Sequence, residues 1–364
     1  MIEKKEYLSQ QLITYIGNKR ALLDFIGEGI SRVQKKLNKP KLIMLDAFSG
    51  SGIAARYFKQ FSDLLIVNDL EKYSAVINEC YLSNECDVDI LLLKGYYNEL
   101  IRQAQENPVK GIISELYAPD DDNTIGKNDR VFYTSRNALY IDTIRQLINT
   151  IPLTLQKYFL APLLSEASIH ANTSGVFKGF YKNRKTGIGQ FGGLHQNALS
   201  RITGDIVLPF PVFSNFNCDK IICNGDANTI IESLPEADIA YLDPPYNQHP
   251  YGSNYFMLNL ILDYTFPNSI SVVSGIPNNW NRSDYNKKHK ILLSLIDLVK
   301  KIKAKFVILS FNSEGFITKD QLSIMLNKIG KVEILETQYN TFRGSRNLSN
   351  RDIYVKEYLF ILEK

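Results

Sequence analysis

Leu42-Ile43-Met44-Leu45-Asp46-Ala47-Phe48-Ser49-Gly50-Ser51-Gly52 decides how the rest of the chain is read. The first four residues form a short apolar run, the pattern of a buried strand. Asp46 ends the run, a glycine-rich turn follows, and Ile53 to Phe61 has the composition of a helix. Strand, glycine turn and helix together make a nucleotide-binding unit, in which the glycines let the backbone approach a ligand closely. A second strand, Leu64-Leu65-Ile66-Val67, is closed by Asn68-Asp69. An acid about 20 residues past the glycines, at the end of the second strand, can hold both hydroxyls of a ribose. The helix from Glu71 to about Asn84 completes the unit. Gly50-Ser51-Gly52-Ile53-Ala54-Ala55 also fits the G-x-G-x-x-A form, so the glycines alone leave NAD and S-adenosylmethionine both open. Asp46 leans toward the second, because a carboxylate at a strand end can face an ammonium group, which NAD lacks.

Upstream, Tyr15-Ile16-Gly17-Asn18-Lys19 precedes Leu22, Ile26, Val33 and Leu37, which recur at helical spacing. A turn at a helix start offers backbone donors and a lysine to an anion such as a carboxylate. A plain N-terminal cap has the same composition. Downstream, Val88 to Leu93 is expected to form a further strand. From Gly95 to Phe216 the pattern changes to an insertion with helical periods at Asn137 to Leu147 and Leu153 to Ser168, and a solvated acidic loop at Asp120-Asp121-Asp122. Ala167 to Gly204 contains no acid and carries Lys178, Lys182, Arg184, Lys185 and Arg201, with Phe177, Phe180, Tyr181 and Phe191 interleaved. Such a glycine-rich basic segment can follow a phosphate backbone and reach into a groove; a solvated basic loop is the alternative.

The sheet pattern then resumes. Ile221-Ile222-Cys223 leads to a turn carrying Asp226, and Ala237-Asp238-Ile239-Ala240-Tyr241-Leu242 runs into Asp243-Pro244-Pro245-Tyr246. Two prolines cannot continue a ladder, since they lack the N–H and fix φ. The strand therefore stops and leaves an acid and an aromatic at its carboxyl end, where ligands bind in an open α/β sheet. An acid, a rigid turn with a free carbonyl and a flat ring suit a planar amine. Asn247 to Tyr255 adds Tyr251 and Tyr255 with amide side chains, stacking and hydrogen-bonding groups of which one or two tyrosines are expected in the core. A strand at Ala304 to Leu309 ends in Ser310-Phe311-Asn312, and a helix covers Lys319 to Ile329. Glu333 to Tyr339 and Tyr354 to Leu362 read as a closing strand pair, joined by a loop with Arg343 and Arg346 that is expected to contact DNA, to wall the pocket or to be a plain hairpin loop.

At 364 residues the chain is long enough for two domains, or for one large α/β domain with an insertion. A hydrophobic share of 45% and a charged share of 22% place it among ordinary globular proteins. The net charge of +4 is too small to establish a nucleic-acid partner, so the local basic cluster carries that expectation. The charged start is unlike a signal peptide. No apolar run approaches the roughly 20 residues of a membrane span. Cys80, Cys86, Cys218 and Cys223 lack metal-ligand spacing. A cytoplasmic protein with reduced cysteines, no metal and no membrane association is expected.

One reaction uses all of these parts: methyl transfer from S-adenosylmethionine to the exocyclic amino group of a base. That amine is a poor nucleophile, because its lone pair is delocalised into the ring. Asp243 and the Pro244 carbonyl would accept its two hydrogens and turn the lone pair toward the methyl group. Tyr246 would stack on the base, worth roughly 1–3 kcal/mol, and orientation would supply much of the rate. A base in a duplex would have to be flipped out first.

These residues, in this order, resemble the Dam-type DNA adenine-N6 methyltransferases over nearly the whole chain. The resemblance is to the group in which the cofactor motif comes first and the catalytic motif follows an inserted recognition region. It implies a Rossmann-like S-adenosylmethionine-dependent α/β sheet, a catalytic domain of residues 1–94 and 217–364, and a mainly helical DNA target-recognition domain at 95–216. Tyr15-Ile16-Gly17-Asn18-Lys19 is similar to the family's N-terminal cofactor motif, and Phe48-Ser49-Gly50-Ser51-Gly52 to its cofactor loop. Asp69 matches the ribose acid, Asp226 the acid near the cofactor adenine, and Asp243 to Tyr246 the catalytic tetrapeptide. Asn172-Thr173-Ser174-Gly175-Val176-Phe177-Lys178 is similar to the recognition region of larger relatives, and Phe311-Asn312 and Phe342-Arg343-Gly344 fall in family order. The insertion is long compared with the smallest members, so their base contacts do not transfer. The resemblance implies double-stranded DNA as substrate, leaves open a cognate restriction endonuclease or a solitary methylase, and is compatible with monomer or dimer. An N4-cytosine enzyme is the first alternative, although the family tends to carry serine at the acid's position for that base. A glutamine or RNA methyltransferase would more often show asparagine there. An NAD-dependent oxidoreductase would leave Pro244, Pro245, Tyr246 and the basic segment unused, and a catalytically silent DNA-binding subunit would not need Asp243, Tyr246 and the glycine turn together.

Overall fold

In the computed structural model, which describes residues 2–340 and 354–364, the frame is one seven-stranded sheet of order β3-β2-β1-β4-β5-β7-β6. Its strands are β1 (Leu42–Asp46), β2 (Ser62–Asp69), β3 (Asp219–Asn224), β4 (Ala237–Leu242), β5 (Ala304–Asn312), β6 (Lys331–Asn340) and β7 (Tyr354–Glu363). The pairings from β3 through β5 are parallel, and β7 runs antiparallel to both β5 and β6. The expected Rossmann-like class therefore holds. The strand order reverses between β1 and β4, where Asp46 lies in register with Tyr241. That pair of carboxyl ends is the switch point at which such sheets bind ligands.

Alternation along the strands assigns each side chain to a layer. Met44, Leu65, Ile239 and Ile308 pack under helix Leu23–Leu37 and helix Ile53–Phe58. Leu45, Ile66, Ala240 and Leu309 face helix Ile291–Lys301 and helix Lys319–Asn327 on the other side. Both faces of β4 are covered and all six of its residues are buried, including Asp238, which accepts from Lys39 Nζ at 2.7 Å and the Ile43 N–H at 3.0 Å.

The insertion builds a third cluster. Helices Ile90–Glu106, Ile112–Tyr117, Ser135–Ile148 and Leu153–Ile169 bury Leu93, Ile113, Ile144 and Leu164 together. The same cluster takes in Tyr73 and Ile77 from helix Lys72–Tyr81, and Phe256, Leu260 and Ile261 from helix Phe256–Asp263. The insertion is thus packed onto elements on either side of it in the chain. Asp142 ties it locally, accepting the N–H groups of Gly111, Ile113 and Ser114 at 2.8–3.0 Å and the Tyr264 hydroxyl at 2.7 Å.

The strand expected at Val88 to Leu93 is the start of a helix instead. The Asp89 side chain accepts the Leu92 N–H as an N-cap. Leu93, Leu100 and Ala104 then fall on one buried face while Leu91 stands 83% exposed. The apolar run belongs to a helix edge, and Asp89, the polar residue within it, starts the helix. Helix Ile90–Glu106 also runs across position 94, where the catalytic domain was expected to end.

Candidate active site

The cleft opens at the switch point. Its walls include Tyr15, Gly17, Asn18 and Lys19 from the N-terminal turn, Phe48, Ser49 and Gly50 from the glycine loop, and Asp69, Asp226 and Asp243 from the ends of β2, β3 and β4. The loop and the three acids meet here because they end or follow neighbouring strands, and the N-terminal turn is packed against them through Tyr15.

The glycine loop is shaped by conformation and close packing. Gly50 has φ 54°, and a Cβ placed on it would lie 2.7 Å from the Tyr15 ring. A side chain at this position would be strained by the backbone and blocked by the ring. The Gly50 N–H donates to Asp69 Oδ2 at 2.7 Å and the Glu71 N–H donates to Asp69 Oδ1 at 2.8 Å. One oxygen of Asp69 thus steadies the loop and the other the next turn, with lone pairs left over toward the cleft. Burial pushes its pKa up to about 6, against the pull of those backbone donors. Asp226 stays exposed and caps the short helix after β3, accepting from the Thr229 N–H. Phe48 meets Tyr285 edge to face at 5.1 Å.

Tyr15 is held in a stack of three rings, with Tyr251 at 4.9 Å and Tyr255 at 4.8 Å. The Ile16 N–H donates to the Tyr255 hydroxyl at 2.7 Å, and the Tyr251 hydroxyl donates to the Ile16 carbonyl at 3.0 Å. The stacking expected of the segment after Tyr246 therefore serves to anchor the N-terminal turn, and Tyr255 is fully buried.

The Asp243 turn is braced from β5. The Tyr246 hydroxyl accepts from Asn312 Nδ2 at 2.8 Å, the ring lies 5.0 Å from Phe311, and the Tyr246 carbonyl accepts the Phe316 N–H. Lys19 Nζ stands 3.1 Å from Asp243 Oδ1, 3.0 Å from Glu357 Oε1 and 5.5 Å from the centre of the Tyr246 ring. Burial alone would lower the Lys19 pKa, but the two carboxylates prevail and raise it well above the usual lysine value, so the group is an ammonium. Burial also raises Asp243, which Lys19 pulls back down, leaving a pKa of about 6.

Pro245 lines the cleft beside Asp243, and Pro244 and Tyr246 adjoin it in the same turn; Asp46, Gly52, Pro244 and Tyr246 are themselves buried. Asp46 is fully buried and its pKa is well raised, by burial first and then by the Asp243 charge. Its Oδ1 accepts the Phe48 N–H of the glycine loop at 3.4 Å. Gly52, at φ 75°, caps helix Ile53–Phe58.

The basic residues lie elsewhere. Lys182 and Gly189 bridge an antiparallel turn in which Asn183 Oδ1 accepts the N–H groups of Lys185 and Thr186. Lys178, Lys182, Arg184 and Lys185 are all exposed on this hairpin or just before it. The interleaved aromatics expected beside them behave differently: Phe177 is 2% exposed and, with Phe180, packs on Phe132. Arg201 points inward and donates to the carbonyls of Ile169, Ala171 and Thr173. Arg343 and Arg346, with Phe342 and Gly344, lie outside the described residues.

Sequence reading missed two parts of the site. The segment Asn281 to Asn286 closes one wall, contributing Asn281, Ser283, Tyr285 and Asn286; its backbone lies so close to Gly252 that a Cβ there would meet the Asn281 carbonyl at 2.3 Å. Glu71, buried with a pKa pushed up to about 7 mainly by burial, accepts from Asn259 and Asn281 and lines the cleft beside Asp69. Its position two residues after the ribose acid was the only signal available. Among the described residues no cluster of His, Cys, Asp and Glu could hold a metal ion, and no helix is long and apolar enough to cross a membrane.

The chain is similar in sequence to known proteins. The chain is 30% identical over 365 residues to the type II methyltransferase M.NlaIII of Neisseria lactamica, covering 97% of this chain and 99% of that one. It is 29% identical to the type II methyltransferase M.CviAII of Paramecium bursaria Chlorella virus 1, with 96% and 98% covered. The modification methylase StsI of Streptococcus sanguinis is 28% identical, with 96% of this chain matching 52% of that protein. Residues 15–325 match the D12 class N6 adenine-specific DNA methyltransferases, and the chain belongs to that family.

Proposed function

We propose that this adenine-specific methyltransferase acts on a base flipped out of double-stranded DNA, with Asp243 as the acceptor that prepares N6 and S-adenosylmethionine as the methyl donor. The observation that carries the reading is the meeting of Asp243 with the Gly50 loop and Asp69 in one cleft at the switch point. The donor set fits that cofactor: Asp69 keeps lone pairs for ribose hydroxyls, Phe48 and Tyr285 offer a slot for a purine, and the Gly50 loop leaves no side chain in the way. Bound S-adenosylmethionine supplies an electrophilic methyl group on a sulfonium.

The chain's own residues do the rest. Lys19 occupies Asp243 Oδ1, which leaves Oδ2 for one N6 hydrogen, and the Pro244 carbonyl takes the other. With both hydrogens held, the N6 lone pair is turned out of conjugation with the ring. The proton that N6 sheds as it gains a fourth bond goes first to Asp243 Oδ2. Tyr246, fixed by Asn312 and Phe311, presents a rigid ring beside the target base. Lys178, Lys182, Arg184 and Lys185 contact the phosphate backbone and offset the few kcal/mol of unstacking. The insertion as a whole reads the recognition sequence. M.NlaIII and M.CviAII are named as type II methyltransferases, and this supports a restriction-modification role.

The test is incubation with duplex DNA and labelled S-adenosylmethionine, followed by nucleoside mass analysis and single-molecule sequencing of the product. Label in N6-methyladenine at one short sequence is expected; label in N4-methylcytosine would overturn the reading. Opening at the target is then read with 2-aminopurine in place of the adenine, where a rise in fluorescence on binding is expected and a flat signal counts against flipping.

A further inference from the structure

The cation behind Asp243 has a second owner. Lys19 is 3% exposed and Glu357 is fully buried, so neither charge is screened by water. Glu357 is the least movable of the three groups: its strand is paired on both sides, to Asn312 of β5 and Thr337 of β6, and its Oε1 accepts the Ser310 hydroxyl at 2.5 Å. Lys19 arrives on a turn and Asp243 on a Pro-Pro break, both softer supports. One ammonium between two carboxylates must stand where both can reach it, and the fixed partner decides where that is.

We propose that Glu357 is a positioning residue for the reaction, acting through Lys19 to hold the Asp243 carboxylate with one oxygen occupied and one free. The proposal rests on Asp243 being the acceptor of the target amine. If Glu357 were neutral, Lys19 would be drawn fully to Asp243 and would compete with the amine for both oxygens. The other charged neighbour of Asp243 is Asp46 at the end of β1. Four phenols also face it: Tyr241 on β4, Tyr246 and Tyr251 after β4, and Tyr339 on β6. Lys19 is the positive member of this group, and Glu357 and Lys19 act on the Asp243 carboxylate with opposite signs.

The test compares E357Q and K19M with the wild type in steady-state methylation of duplex DNA across pH, with S-adenosylmethionine binding measured by calorimetry as the check on folding. For E357Q we expect kcat to fall about tenfold, KM for S-adenosylmethionine to stay within about twofold, and the acidic limb of kcat to move down by roughly one pH unit. For K19M the limb moves up. Limbs that move in the same direction, or an E357Q limb and kcat equal to wild type, overturn the proposal. A merely structural Glu357 would lower activity without moving the limb. If E357Q fails to bind cofactor, S310A decides: it removes the hydroxyl that pins Glu357 while keeping every charge, so kcat should fall with the limb in place, and a wild-type kcat overturns the proposal. Failure of the underlying reading looks different, as a D243A enzyme that still methylates adenine.

Discussion

The cleft at the ends of β1 and β4 and the basic hairpin around Asn183 are held by different physics. In the cleft, three charged groups are each held by fixed partners: Asp69 by two backbone N–H groups, Asp243 by Lys19, Lys19 by Glu357. At the hairpin the cations are exposed and only the turn beneath them is fixed, through Asn183 and through Asn172, whose side chain donates to the Val131 and Gln190 carbonyls and accepts the Gly192 N–H. Chemistry on one amine needs groups set within a few tenths of an ångström. Phosphate contact needs only charge near a polyanion, a demand that exposed lysines suit. The aromatics follow the same division, since Phe177 and Phe180 pack the hairpin's base into the insertion core and do not stand among the lysines.

Breaking the cleft should have the largest consequence. Asp243→Ala should lower kcat by roughly a thousandfold, with S-adenosylmethionine binding retained in calorimetry; near-normal turnover would remove the acceptor role. Protonation does reversibly what that substitution does permanently. With a pKa of about 6, Asp243 is ionised above that value and neutral below it, so kcat at saturating substrates should decline as pH falls through about 6. The same pH range should weaken cofactor binding through Asp69, also near 6, and Asp69→Asn should abolish that second dependence while weakening binding roughly 30-fold, or about 2 kcal/mol for hydrogen bonds to a charged group.

The hairpin should respond in another currency. Replacing Lys182, Arg184 and Lys185 together by alanine should leave kcat at saturating DNA unchanged. DNA affinity should fall about tenfold or more at moderate salt, and the slope of log affinity against log salt should flatten by about 1 for each phosphate no longer neutralised. An unchanged slope would take the hairpin off the backbone. The smallest effect is expected at the border of the cleft: Gly252→Ala should push the Asn281 backbone away and weaken cofactor binding a few-fold, with stability in thermal unfolding reduced by about 1–3 kcal/mol.

Local signals sufficed wherever strand ends carry the chemistry. The run before Asp243 is apolar and bounded by prolines, and the glycines after Asp46 permit positive φ, so the strands, their terminal acids and the order of the motifs were legible. The reading failed where a residue's role depends on a partner distant in sequence. Val88 to Leu93 looked like a strand because its helical face is completed only by Leu100 and Ala104. Arg201 looked like its basic neighbours until the carbonyls of Ile169 and Ala171 captured it.

By itself, then, the sequence determined the α/β class, the glycine loop with Asp69, and the acid, two prolines and tyrosine that follow β4, because short-range periodicity and backbone chemistry dictate these. Only the tertiary structure decided that Lys19 serves Asp243, that Glu357 serves Lys19, that Tyr251 and Tyr255 clamp Tyr15, and that Asn281 to Asn286 close the cleft. Those contacts join segments tens to hundreds of residues apart, and their energies arise from burial and charge pairing that no local stretch of sequence contains.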